Sequence, residues 1–143
     1  MQIIIRELDK KDYPDIVLLR NNELGGNITL EELSAKMDIM NKNEYYKTFV
    51  ALYENNVVGF ISTIIVLAVE FPIGYLRIDG LAVNKNIQSK GIGTKLLVYA
   101  ENYAKEKGIT ASSLNSNFKR TDAHTFYEYN GYTKHAYYFV KGI

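Results

Sequence analysis

The residue pattern predicts an α/β fold of the α+β kind: a mixed, mostly antiparallel central sheet with helices on both faces. Three features carry this expectation. One short isoleucine-rich strand is followed by two helix-start signals; the apolar period then changes to two in the runs 47–54 and 57–69; and a strand, an amphipathic helix and another strand come next. Hairpins followed by a β-α-β unit place strands of both directions in one sheet.

The elements follow in order. Residues 2–7 read as the first strand, and Asp9 offers an N-cap to a helix over about 11–20. Residues 21–27, with Gly25-Gly26, read as a loop, after which Thr29-Leu30-Glu31-Glu32 has capping-box spacing and opens a helix to about Asn41. Asn55-Asn56 is a two-residue hairpin signal between the runs 47–54 and 57–69, and Phe71-Pro72-Ile73-Gly74 turns the chain into a strand at 75–83. A helix over 91–107 places Ile92, Leu96, Ala100, Tyr103 and Ala104 on one stripe and stops at Gly108. Residues 110–115 form the fifth strand, 122–129 a short helix ending at Gly131, and 132–141 a last strand. The order is β-α-α-β-β-β-α-β-α-β.

A chain of 143 residues suits one domain, 1–143, around one core. Its formal charge of +1 gives no global field for nucleic acid or an acidic membrane, so neither partner is expected. The absence of cysteine removes disulfides, thiolate zinc ligands and a cysteine nucleophile together. His124 and His135 are isolated, without metal-ligand spacing, and no metal is expected. Residues 1–11 carry charge where a secretion signal has an apolar run, and 57–69 is too short and β-branched to span a bilayer. A cytoplasmic protein, monomer or homodimer, is the expectation.

Between the fourth strand and the long helix lies Gln88-Ser89-Lys90-Gly91-Ile92-Gly93-Thr94. Glycines directly before a helix let backbone approach a ligand, and the N–H groups and dipole there suit a pyrophosphate. Lys85, Lys90 and Lys95 add positive charge. The alternative is that Gly91 and Gly93 only start a helix tightly against a strand. A Rossmann fingerprint needs a glycine where Leu96 stands, and a P-loop needs a Gly-Lys-Ser/Thr end that is missing.

Ile78-Asp79-Gly80-Leu81-Ala82-Val83, followed by Gln88-Ser89-Lys90-Gly91-Ile92-Gly93-Thr94-Lys95-Leu96-Leu97, resembles the acetyl-CoA signature of the GNAT acetyltransferase family. Downstream, Asp122-Ala123-His124-Thr125-Phe126-Tyr127-Glu128-Tyr129-Asn130-Gly131-Tyr132 is similar to that family's helix ending in a Phe-Tyr pair and a Gly-aromatic step. The order of elements agrees, so the resemblance covers essentially the whole chain.

The resemblance implies an acetyl-CoA-dependent N-acetyltransferase. The near-neutral charge favours a small-molecule primary amine as its acceptor, and the absence of cysteine and of a serine-nucleophile elbow favours direct attack in a ternary complex. The fourth and fifth strands would part, and the pantetheine arm would pair with backbone at Leu81, Ala82 and Val83. A backbone N–H there would face the thioester oxygen. Gln88, Ser89, Lys90, Gly91, Ile92, Gly93 and Thr94 would hold the pyrophosphate, with Asn117 approaching from the end of the fifth strand. Tyr127 stands at the position of the general acid that protonates the departing thiolate; its other reading is a packed aromatic residue.

Asp79 is read either as half of an ion pair with Arg77 or as a base or anchor for the substrate ammonium. The family often has Glu here and a second acidic residue where this chain has Gly80. His124 reads as a packing or capping residue rather than a catalytic one. Lys119 and Arg120 are read as contacts to the CoA phosphates or as solvated loop charges. Glu23, Glu70, Tyr45 and Tyr46 are candidates for lining an acceptor pocket or for plain surface. Rival readings are an inactive CoA-binding sensor or partner module, and an acyltransferase acting on a protein N-terminus.

Overall fold

The computed structural model describes residues 2–87 and 90–143. Its sheet contains β1 (Ile3–Glu7), β2 (Tyr46–Tyr53), β3 (Asn56–Leu67), β4 (Gly74–Val83) and β5 (Ser112–Leu114), adjacent in that order. The first four pair antiparallel and β5 joins β4 in parallel. The helices are α1 (Tyr13–Leu24), α2 (Leu30–Met40), α3 (Ile92–Glu106) and α4 (Thr121–Tyr129).

Two cores lie on opposite faces of the sheet. On one, Ile61, Leu76 and Ile78 meet the α3 stripe Ile92, Leu96, Leu97 and Ala100, with Phe126 and Tyr127 of α4 at its margin. On the other, Val50, Phe60 and Ala82 meet Tyr13, Ile16 and Leu19 of α1 and Leu33 and Met37 of α2. Each fully buried Leu or Ile contributes roughly 1.5–3 kcal/mol. The apolar stripe of α3 therefore fixes that helix against the sheet.

Local signals set most boundaries. Thr29 Oγ1 accepts from Glu32 N–H at 3.1 Å, and Glu32 Oε1 accepts from Thr29 N–H at 3.2 Å, so the expected capping box opens α2. The β2–β3 turn falls on Glu54-Asn55, one residue earlier than read, with φ of 50° and 65°. These positive φ values are what a two-residue hairpin turn needs, and Asn56 already pairs with Tyr53.

Asp9 caps a short 3₁₀ turn at Lys10–Asp12 before α1 begins. Asp12, only 3% exposed, accepts two bonds from Arg6 at 2.7 and 3.0 Å and one from Asp9 N–H at 2.9 Å. Burial alone would raise its pKa, but the Arg6 bond, the Asp9 backbone bond and the charges of Arg6 and Lys11 outweigh it and hold the carboxyl below its ordinary value. A depressed folded pKa gives stability that is present above the unfolded value of about 3.9 and lost as pH falls through the folded one. Asp12→Ala is expected to cost about 2–4 kcal/mol. Denaturant melts should also show a weaker loss of stability below about pH 4 in the variant than in the native protein. Equal acid slopes would disprove the linkage.

Three expectations need correction. Helix α1 runs four residues past Arg20 to Leu24 before Gly25. Asn21 explains how the loop closes behind it: its side chain donates to Ile28 O and accepts from Ile28 N–H. Strand β5 is confined to Ser112–Leu114. The last strand, read at 132–141, does not form. Tyr132 is held by its hydroxyl at Ser112 (2.7 Å) and Glu101 (2.8 Å), and its N–H bonds Tyr127 O. Beyond it the chain is exposed, with Tyr137 and Phe139 both at 91%. An alternating pattern supplies faces for a strand but no backbone partner, and no described strand pairs with this segment.

Candidate active site

The site begins with a strand irregularity. In the β3–β4 ladder Ser62 pairs with Gly80 and Thr63 with Ile78, so Asp79 is an extra residue opposite no partner in β3. Such a bulge changes which side chains face which way. Leu76 and Ile78 point into the α3 core, yet Ala82 points into the α1 core and Leu81 and Val83 return to the α3 side. The β4–β5 ladder ends at the same level, its last pair being Ile78 and Leu114. Beyond this point the two strands part.

The parting opens a cleft of about 240 Å³. Ile78 to Leu81 form one wall and Leu114 to Ser116 the other; Arg20 and Leu24 reach in from α1, and Arg120 and Tyr127 from α4. Tyr127 and Asp79, separate in sequence, therefore share one cavity. Glu23, Glu70, Tyr45 and Tyr46 do not line it. Glu23 instead accepts the Lys85 N–H at 3.2 Å, behind the loop that leads to α3.

Tyr127 packs edge-on against Phe126 and Tyr132, with ring centroids 5.1 and 5.9 Å apart. Burial raises its pKa, and the nearby charge of Arg120 opposes this in part. The phenol therefore stays protonated through neutral pH, as a proton donor must. Tyr132 next to it is pushed up further, by burial above all, and its hydroxyl is committed to Ser112 and Glu101. Of this tyrosine pair, only Tyr127 lines the cleft.

Asp79 Oδ1 accepts from Arg77 Nε at 2.8 Å, with both side chains 38% exposed. The ion pair considered from the sequence is present, and it engages one carboxylate oxygen. His124 Nε2 lies 2.9 Å from Asn117 O, as a capping residue would. Asn117 spends its side-chain oxygen on Lys119 N–H at 2.9 Å, which makes it a turn residue.

The two glycines before α3 differ. Gly91 is the N-cap, at φ 75°, and a Cβ built on it would meet nothing within 4 Å. The left-handed backbone favours glycine, and no described residue fills the space a Cβ would face. Among the described residues no side chain caps this helix end. At Gly93 a Cβ would lie 3.1 Å from the Phe126 ring, so this glycine lets α4 close onto the first turn of α3. Lys90 and Lys95 are exposed around the turn. Gln88 and Ser89, the first residues of the expected anion loop, lie outside the described residues.

Sequence reasoning missed Arg20, Leu24 and Ser116. The first two are one helical turn apart on α1, and ending that helix at Arg20 hid the pair. Among the described residues no group of three His, Asp or Glu is placed to hold a metal, and no helix is long and apolar enough to cross a membrane.

The chain as a whole has known relatives. The family profile for acetyltransferases of the GNAT family matches residues 5–132. The chain is 31% identical over 135 residues to an aminoalkylphosphonate N-acetyltransferase of Salmonella typhimurium, covering 92% of this chain and 82% of that one. A GNAT family acetyltransferase from Staphylococcus aureus superposes with a TM-score of 0.85 at 23% identity, covering all of both chains. The aminoglycoside acetyltransferase AAC(6′)-Iy, solved with a CoA-based bisubstrate analogue, superposes at 0.84 with 14% identity and full coverage of both. This chain belongs to the GNAT acetyltransferase family.

Proposed function

We propose that the protein transfers the acetyl group of acetyl-CoA to the primary amine of a small molecule, with both substrates bound together. The observation that carries this reading is the end of the β4–β5 ladder at Ile78 and Leu114, beside Tyr127. A β4 edge released from β5 at Leu81 and Ala82 offers backbone groups to an amide-bearing chain, as in strand addition. The backbone at Gly91, which no described side chain caps, suits the pyrophosphate of the same molecule. Lys90, Ile92, Gly93 and Thr94 stand with it, and Gln88 and Ser89 belong to the same proposal. Asn117, its side-chain oxygen engaged by Lys119 N–H, belongs to the proposal only through its Nδ2 donors.

In the reaction the free amine attacks the thioester carbonyl, the C–S bond breaks, and Tyr127 gives its proton to the departing sulfur. The amide nitrogen sheds its extra proton to water, and the Tyr127 phenolate regains a proton from solvent. Asp79, with Oδ1 held by Arg77, orients the incoming nitrogen through its other oxygen. Backbone donors of β4 stabilise the oxyanion.

Sulfur release from acetyl-CoA, followed across a panel of amines, tests the proposal. Because the chain lacks cysteine, no thiol carries the acetyl group, and initial-rate lines at several acetyl-CoA concentrations should intersect. Parallel lines or a trapped acetyl-enzyme would contradict direct attack, and an absence of release with every amine would remove the activity itself.

A further inference from the structure

The charge of the cleft is unusual for a cavity that must receive a cationic amine. Its lining contains two guanidinium groups, Arg20 and Arg120, against one carboxylate, Asp79. That carboxylate is already paired with Arg77 at 2.8 Å. Arg20 donates from one nitrogen to Gly25 O at 3.2 Å, which fixes the end of the side chain. An arginine fork held by one nitrogen still presents further donors. On the opposite wall Ser116 Oγ is buried and has no hydrogen-bond partner among the described residues. A buried hydroxyl without a partner is uncommon, so its presence in a cleft that two arginines also line asks for an explanation.

One chemistry satisfies all of these groups at once. An oxyanion accepts charge-assisted bonds from arginine forks and a further bond from a serine hydroxyl. A plain alkylamine does neither, and it would enter a site of its own sign. We propose that the acceptor is an amino acid in the broad sense, a short molecule carrying a primary amine at one end and a phosphonate, phosphate or carboxylate at the other. The oxyanion is held by Arg20, Arg120 and Ser116, and the amine is presented beside Asp79 and Tyr127. This inference rests on the transferase reading and names its acceptor class.

The test compares 2-aminoethylphosphonate, β-alanine and propylamine as acceptors for the native enzyme and for Arg20→Gln. Glutamine keeps a polar side chain and removes the charge and the fork. The native protein should favour the two acids over propylamine in kcat/KM, and Arg20→Gln should reduce that preference by roughly 10–100-fold. Arg20→Lys, which keeps the charge without the fork, should fall between them. The ranking of phosphonate against carboxylate identifies which oxyanion is read. An unfolding scan checks that each variant is folded. If propylamine serves as well as the acids, the inference is wrong while the transferase reading stands. If no amine is acetylated, calorimetry with 2-aminoethylphosphonate on the CoA-loaded protein decides this inference alone. Binding lost in Arg20→Gln then upholds the oxyanion site, and no binding, or binding unmoved by the substitution, overturns it.

Discussion

Tyr127→Phe is expected to lower kcat by roughly 10²–10⁴-fold while leaving CoA affinity nearly unchanged. The substitution is clean because the ring does the packing. Phe126 and Tyr132 contact it edge-on, and the hydroxyl has no hydrogen-bond partner among the described residues. Deleting one oxygen therefore opens no network, and stability should stay within about 0.5 kcal/mol. The pH profile supplies a second readout. Burial holds the Tyr127 pKa above its ordinary value of 10.0, although Arg120 pulls against it. The donor form thus persists at least as far as in free tyrosine, and the native rate should rise with pH as the amine loses its proton. Any alkaline fall should come late and be absent from the variant. A thiolate leaving group has a solution pKa of about 8.5, so the advantage of the acid shrinks as the solution becomes alkaline. The test is kcat at saturating amine for both proteins across that range. Native kcat in Tyr127→Phe throughout would assign the proton to water or another residue.

Much of the frame was legible in the sequence because it is written in local chemistry. Thr29 with Glu32, Asp9 and Gly108 are stop and start signals that depend on a few neighbouring atoms, and each acts near where it was read. The strands β1 to β4 follow from a period of two that needs burial on both faces. What the sequence hid depends on pairing at a distance. The bulge at Asp79 exists only relative to β3, and nothing in the run from Tyr75 to Val83 marks the extra residue. Strict alternation would place Ala82 beside Ile78, but it lies across the sheet from it. Residues 132–141 carry a strand pattern as good as that of β4 and find no strand to pair with. Tyr127 and Asp79 were legible through their motifs. Arg20 and Ser116 were not, because a cleft between parted strands is a property of the assembled sheet.

Gly91→Asp is expected to weaken CoA binding far more than Gly91→Asn, and this pair isolates the phosphate proposal from backbone strain. Gly91 sits at φ 75°, so any side chain there is strained. Asn and Asp tolerate that region better than other residues and to a similar degree, so their penalties largely cancel in the comparison. A Cβ at this position has nothing within 4 Å among the described residues, and the two new side chains have nearly the same shape, so steric effects also largely cancel. What differs is one negative charge at the start of α3. Beside a pyrophosphate that charge costs about 1–4 kcal/mol per close pair, depending on local screening, or roughly 10–10³-fold in Kd. It also opposes the dipole attraction that the uncapped helix start would provide. The gap between the two variants should narrow as salt rises from about 0.01 to 1 M, because the Debye length then shrinks from roughly 30 to 3 Å. Titration calorimetry with CoA measures both affinities without depending on catalysis. Equal affinities for Asp and Asn in folded proteins would mean that no phosphate rests on Gly91, and the anion would have to be sought elsewhere along the cleft.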